Sequence, residues 1–358
     1  IPYSSKSMPR VRLSGKVSGV TDPNREVRAL MLYQLFANGW DIYNSNGDQR
    51  ISLTNIEEKI QESDAFVFMP GATLEDIFEA VSIFVGYQTL DPHLAGKAAV
   101  ILNSGVSWNP LFDLLDQLED FGTIHQNYRK FLLEAKEPER VLAYLAEVTA
   151  SGIPDVGREK FDFKPTDSFE TPLPKTNRGN VCVFCSASIK AAKYLEDGYL
   201  LGKLLANNDY GCVSGAGTTG VMGSVVKGSV DAGGWTGGSN VPHIIEIEGL
   251  PEGLSSFWLR PDIYTRMEVM IQRSEAFIIF PGGAGTVQEM LALLIFKQSG
   301  NELMKGKPVI VFNREDEQTG INFWNKLIIM LRPLCGEDLF EVVDELEAII
   351  PTLDRLIE

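Results

Sequence analysis

Glu289 closes the run PGGAGTVQE, Pro281 to Glu289, in which glycines and a threonine lead up to a carboxylate. Gly282, Gly283 and Gly285 let a backbone turn tightly and approach an anion closely. Thr286 is placed to cap the helix that follows and to offer a hydroxyl. The N–H groups of a first helical turn have no partner inside the helix and face an anion well. Gly282, Gly283, Ala284, Gly285 and Thr286 are therefore the expected phosphate-binding residues. Glu289 is expected on that first turn. A phosphate monoester repels a neighbouring carboxylate, so its presence points to chemistry or sugar binding rather than to anion capture alone.

Two further groups of residues could join it. GAGTTGVMG, Gly215 to Gly223, is a second glycine-rich turn between a strand and a helix. Gly215, Gly217 and Gly220 have dinucleotide-binding spacing, but no acidic residue ends the next strand to hold a ribose diol. Two glycine loops in one domain suit a mononucleotide better, one for its phosphate and one for its sugar or base. Arg266 lies on an expected helix, Tyr264 to Arg273. Either it pairs at the surface with Glu268 or Asp262, or its planar fork is directed at the phosphate edge of a sheet.

The elements that must position these groups are strands and helices in alternation. AFIIF (Ala276 to Phe280) reads as a buried parallel strand, and MLALLIFK (Met290 to Lys297) as a helix. VCVFCSAS, Val181 to Ser188, reads as the opening strand, with Ser186, Ala187 and Ser188 at the carboxyl end, where open parallel sheets bind ligands. The pattern also repeats. QESDAFVFMPGATLEDIFEAVSIF from Gln61 parallels QRSEAFIIFPGGAGTVQEMLALLIF from Gln272, and Leu35–Gly47 parallels Leu204–Gly217. The fold class is α/β: two tandem Rossmann-like domains with parallel sheets and flanking helices. The domains are expected at 1–150 and 180–358, joined by a proline-containing linker over 151–179. The first copy has PGATLED in place of PGGAGTVQE, which sets Asp76 opposite Glu289 and leaves it only the fold.

Composition excludes several classes. The chain has 358 residues, 32 basic against 48 acidic, and a formal net charge of −16. That balance argues against nucleic-acid binding. No apolar run reaches the roughly 20 residues that span a bilayer, and IPYSSKSMPR lacks the apolar core of a signal peptide. Cys182, Cys185, Cys212 and Cys335 are too few for a disulfide framework, and His93, His125 and His243 are scattered. A reduced, cytoplasmic protein without metal or cofactor is expected.

GAGTTGVMG, Arg266 and PGGAGTVQE together resemble the LONELY GUY family, whose members are often labelled "lysine decarboxylase". The resemblance covers about Asn180 to Asn313, and the amino-terminal half as a degenerate copy. It implies a nucleoside 5′-monophosphate phosphoribohydrolase that releases a free base and ribose 5-phosphate. It also implies a homodimer, or tandem halves paired as a pseudo-dimer. Arg266 and Glu289 match the family's catalytic pair. Ser186, Gly215, Gly217, Thr218, Thr219 and Met222 then fall on the sugar and base side. Met267 departs from the family, which has lysine there. The alternative is a non-catalytic nucleotide sensor, or a carrier of a phosphorylated cofactor like molybdopterin. Lysine decarboxylation needs pyridoxal phosphate on a lysine, and neither glycine loop contains one.

Overall fold

The computed structural model describes residues 8–15, 22–44, 53–151 and 167–357. Gly47 and residues 152–166 of the expected linker lie outside them. The chain divides into two compact units: Ile1–Phe112 with Asn127–Val156, and Asp113–Gln126 with Gly157–Glu358.

The first unit carries strands β1 (Arg10–Ser14), β2 (Asp41–Asn44), β3 (Ala65–Phe68), β4 (Ala98–Leu102) and β5 (Leu132–Ala135). They pair in parallel in the order β2-β1-β3-β4-β5. Helices α1 (Arg25–Ala37), α2 (Leu53–Glu62), α3 (Leu74–Gln88), α4 (Asn109–Asp120) and α5 (Pro138–Ser151) alternate with them, α4 straddling the division. Strand alternation sorts the faces. Val11 and Leu13 enter one apolar core with Met31, Leu35 and Val141, while Arg12 meets Glu79 of α3.

The second unit runs β6 (Asn180–Phe184), α6 (Ala192–Asn207), β7 (Gly211–Ser214), α7 (Gly220–Asp231), β8 (Thr236–Asn240) and α8 (Pro242–Glu248). It continues with β9 (Ser256–Leu259), α9 (Ile263–Gln272), β10 (Ala276–Ile279), α10 (Ala284–Ser299) and β11 (Val309–Phe312). It ends with α11 (Asn325–Cys335), β12 (Glu341–Val343) and α12 (Ile349–Ile357). The sheet order is β12-β11-β10-β6-β7-β8-β9, all parallel. The order reverses at β6, so loops after β6 and β10 flank a switch point, where such sheets bind ligands. Phe169 bridges Phe257 on edge strand β9 in antiparallel sense, with both N–H···O bonds at 2.9 Å. That pairing covers a sheet edge. No helix among the described residues is long and apolar enough to cross a membrane.

The duplication extends to single contacts. Lys97 Nζ donates to the Ile60 carbonyl (2.7 Å) as Lys307 Nζ does to that of Ile271 (2.8 Å). Asn103 Nδ2 donates to Asn109 Oδ1 as Asn313 Nδ2 does to Asn325 Oδ1, both at 2.9 Å. This correspondence corrects the pairing of Asp76 with Glu289. Counted from the first residue of each helix, the sixth is Glu79 in α3 and Glu289 in α10, and Asp76 falls opposite Thr286. The first copy kept its glutamate and lost the uncapped turn before it.

Candidate active site

The turn before α10 differs from expectation in how it is built. The helix begins at Ala284 with Gly283 as N-cap, and no side chain caps it. Thr286 is not the cap but the third helical residue. Its hydroxyl is buried without a hydrogen-bond partner among the described residues, and it fills the space a Cβ on Gly282 would need. Gly283 is required for a different reason, since a Cβ there would collide with the Thr123 carbonyl oxygen. Gly285 has nothing within 4 Å of its Cβ position and faces open space. The helical ladder first closes at Val287 N–H to Gly283 C=O (3.1 Å), so the N–H groups of Ala284, Gly285 and Thr286 precede it. In the first unit the equivalent end is shut. Thr73 Oγ1 accepts the Asp76 N–H at 3.2 Å and Asp76 Oδ2 accepts the Thr73 N–H at 3.1 Å, a capping box.

Because α10 starts at Ala284, Glu289 lies on its second turn rather than its first. Its side chain is partly exposed, and its carboxylate accepts no hydrogen bond from the described residues. Burial pushes the carboxyl up to about 8. The positive charge of Arg266 opposes that shift, and the negative charge of Glu248 adds to it.

Arg266 is held on α9, whose start is capped by Asp262: Oδ1 accepts the N–H groups of Tyr264 (2.9 Å) and Thr265 (2.8 Å). Its Nε donates to the Ser239 carbonyl at 2.8 Å and its Nη2 to that of Gly215 at 2.5 Å. The guanidinium thus spans the carboxyl ends of β7 and β8. No ion pair links it to Glu268 or Asp262 among the described residues, so the surface-pair reading fails. Gly215 leaves room for the guanidinium, because a Cβ there would take the place of Arg266 Nη2. Met267 is 2% exposed and belongs to the core, so no cation stands at that position.

The expected sugar and base residues come together, but most of their polar side chains are engaged in bracing the loops. Ser186 Oγ accepts the N–H of Ser188 (2.9 Å) and of Ile189 (3.3 Å) and bonds Ser188 Oγ (2.7 Å). Thr219 Oγ1 donates to the Ala187 carbonyl at 2.8 Å. Thr218 N–H donates to the Glu248 carbonyl at 3.0 Å, and its hydroxyl donates to the same oxygen. Met222 Sδ accepts the Gly217 N–H at 3.1 Å. The hydroxyls of Ser186, Thr218 and Thr219 thus hold the β6 and β7 loops in shape.

Glu248 is the residue that sequence reasoning missed. It ends α8, and its Oε2 lies 3.1 Å from the Cβ position of Gly217. The bonds of Thr218 to the Glu248 carbonyl tie the end of α8 to the glycine loop. Elsewhere, Glu57, Asp91 and His93 of the first unit place ligand atoms within 4.8 Å of one another and could hold a cation. They do not belong to this constellation.

Fold and site define a parallel α/β protein in which a glycine-rich, uncapped helix start leads to a carboxylate. The family model described as "Possible lysine decarboxylase" matches residues 16–145 and again 222–353, and the chain belongs to that family. A cytokinin riboside 5'-monophosphate phosphoribohydrolase of Mycobacterium tuberculosis is 28% identical over 149 residues, 42% of this chain and 78% of the relative. One from Arabidopsis thaliana is 31% identical over 147 residues, 39% of this chain and 65% of the relative. Among solved structures, a Moco carrier protein of Chlamydomonas reinhardtii superposes with a TM-score of 0.38 at 19% identity, covering 50% of this chain and 96% of that one.

Proposed function

We propose that the second unit hydrolyses the N-glycosidic bond of a nucleoside 5′-monophosphate to free base and ribose 5-phosphate. One observation carries this reading. The uncapped start of α10 lies on the same helix as Glu289, whose carboxylate has no hydrogen-bond donor among the described residues and feels the charge of Arg266. The names of the relatives agree with it.

The N–H groups of Gly282 to Thr286 bind the 5′-phosphate, which sets the sugar against Glu289. The bond from C1′ to the base breaks through an oxocarbenium-like sugar. Ionised Glu289 takes a proton from water as the water oxygen bonds to C1′ and the C1′–N bond breaks, and that proton passes through solvent to the departing base. Arg266 neutralises phosphate charge and steadies ionised Glu289.

Incubation with AMP, GMP, CMP, UMP, IMP and a cytokinin riboside 5′-monophosphate, with free base followed by chromatography, tests this. Base is released by wild type and not by Arg266→Ala or Glu289→Gln. Binding of a nucleotide without release of base favours the second reading, a sensor or a carrier of a phosphorylated cofactor. The buried, uncharged Met267 is the feature on its side.

A further inference from the structure

We infer that Glu248 grips the ribose hydroxyls and makes the site selective for ribonucleotides over 2′-deoxyribonucleotides. The inference rests on the nucleotide reading above and deepens it.

A ribose presents two vicinal hydroxyls, each able to donate one hydrogen bond. A carboxylate offers two acceptor oxygens at matching separation, so one acidic side chain holds the pair. Parallel nucleotide-binding sheets meet that need with an acidic residue from the end of a neighbouring strand. In this chain the end of β8 is occupied otherwise. Asn240 is buried and turns its Oδ1 back on the Val241 N–H at 2.9 Å. The acid arrives one element later, on the last residue of α8.

Three features fix Glu248 there. Its carbonyl accepts both the N–H and the hydroxyl of Thr218, which ties the end of α8 to the glycine loop. Gly249 follows at φ +73, a conformation that favours glycine and ends the helix at that point. The side chain then lies over Gly217, with Oε2 3.1 Å from its Cβ position, so any larger residue at 217 would meet the carboxylate. Glu248, at the end of α8, thus lies near enough to Glu289, on the second turn of α10, for its charge to act on that carboxyl. The described residues of the first unit hold no counterpart of the segment that carries Glu248: its sheet ends at β2, where the second unit adds β8 and β9. The unit that lacks the uncapped turn also lacks the sugar-binding acid.

The division of labour follows from placement. Glu289 stands with the anion cradle and Arg266, while Glu248 stands with the loop after β7. Glu248 is a positioning residue, and its loss weakens binding of the sugar more than it slows the bond-breaking step.

The test compares AMP with 2′-deoxy-AMP on the full chain, by calorimetry for affinity and by base release for turnover. Wild type binds AMP about 10- to 100-fold more tightly, as expected when a buried acceptor loses its hydroxyl partner. Glu248→Gln brings the two affinities to within about threefold, mainly by weakening AMP, and KM for AMP rises more than kcat falls. Glu248→Asp restores part of the preference. Equal affinity of wild type for the two nucleotides overturns the assignment even if Glu248→Gln fails to fold. So does a Glu248→Gln variant that weakens both nucleotides by one factor. Discrimination in binding with no base released would leave Glu248 standing and remove the hydrolase reading. Absence of binding by either nucleotide would remove both.

Discussion

Glu79 and Glu289 occupy the same place in two copies of one fold, and among the described residues Glu79 alone of the two has a cation in contact. Arg12, at the middle of β1, forms a buried ion pair with Glu79, both side chains being almost fully enclosed. In the second unit the equivalent strand position, set by the matching registers of β1 with β3 and β6 with β10, is Cys182. Glu289 is left with the more remote charge of Arg266 and a carboxyl raised to about 8. Arg12 on one central strand and Cys182 on the other thus separate a glutamate in a buried ion pair from one with no ion pair among the described residues.

The first consequence concerns stability. Glu79→Gln leaves Arg12 buried without its counter-charge, which costs on the order of 3–5 kcal/mol. Replacing both by apolar residues of similar volume recovers most of that loss. Urea unfolding of the single and double variants measures it, and a single variant as stable as wild type would show that the pair is not buried in solution.

Glu289→Gln behaves in the opposite way. A carboxyl whose folded pKa is raised from 4.5 to about 8 favours the fold while protonated, below pH 4.5. That contribution is lost as pH rises through about 8. The variant therefore gains on wild type across this window, by about 1–3 kcal/mol once partial exposure is allowed for. Turnover falls by orders of magnitude, while nucleotide affinity holds within a few-fold. Thermal melts from pH 5 to 9 check the first statement, and calorimetry beside base release the second.

Much of this site is legible in the sequence because its parts are local. The strand, the glycines and the following helix are consecutive in PGGAGTVQE, and Arg266 needs only a helix that ends one strand earlier. The register is not legible. Gly285 and Thr286 read as loop and cap, yet both are helical, because Gly283 supplies the extended N-cap and no side chain competes. That shift moved Glu289 one turn deeper and hid its equivalence to Glu79. Glu248 was invisible for another reason. Its place depends on α8 folding back to bond Thr218, a contact between distant residues that no short pattern encodes.

The pH profile discriminates between roles for Glu289. As the base that activates water it must be ionised, so kcat/KM rises with pH along an apparent pKa near 8 and then levels. A Glu248→Gln variant moves that limb to lower pH, because a like charge is removed. A profile that falls through 8 instead would assign Glu289 as the acid that protonates the departing base.

Gly215→Ala tests the seat of Arg266 without touching its charge. The added methyl takes the position of Nη2, so the guanidinium must leave the carbonyls of Gly215 and Ser239. Loss of turnover approaching that of Arg266→Ala is expected, with the melting temperature lowered by a few degrees at most. Activity within about twofold of wild type would mean that Arg266 acts from some other position.

The glycines of the anion turn separate packing from ligand approach. Gly283→Ala drives a methyl into the Thr123 carbonyl, a backbone atom that cannot rotate away, so the fold itself suffers by about 1–3 kcal/mol. Gly285→Ala meets no atom of the described residues within 4 Å and adds a better helix former inside α10, which stabilises by up to about 1 kcal/mol. Its methyl instead enters the space above the first helical turn, where a phosphate would sit. Gly285→Ala should therefore melt at or above the wild-type temperature and yet raise KM at least tenfold, measured by base release over a nucleotide series. A variant that is more stable and equally active would place the phosphate elsewhere, and the uncapped turn of α10 would lose its claim to it.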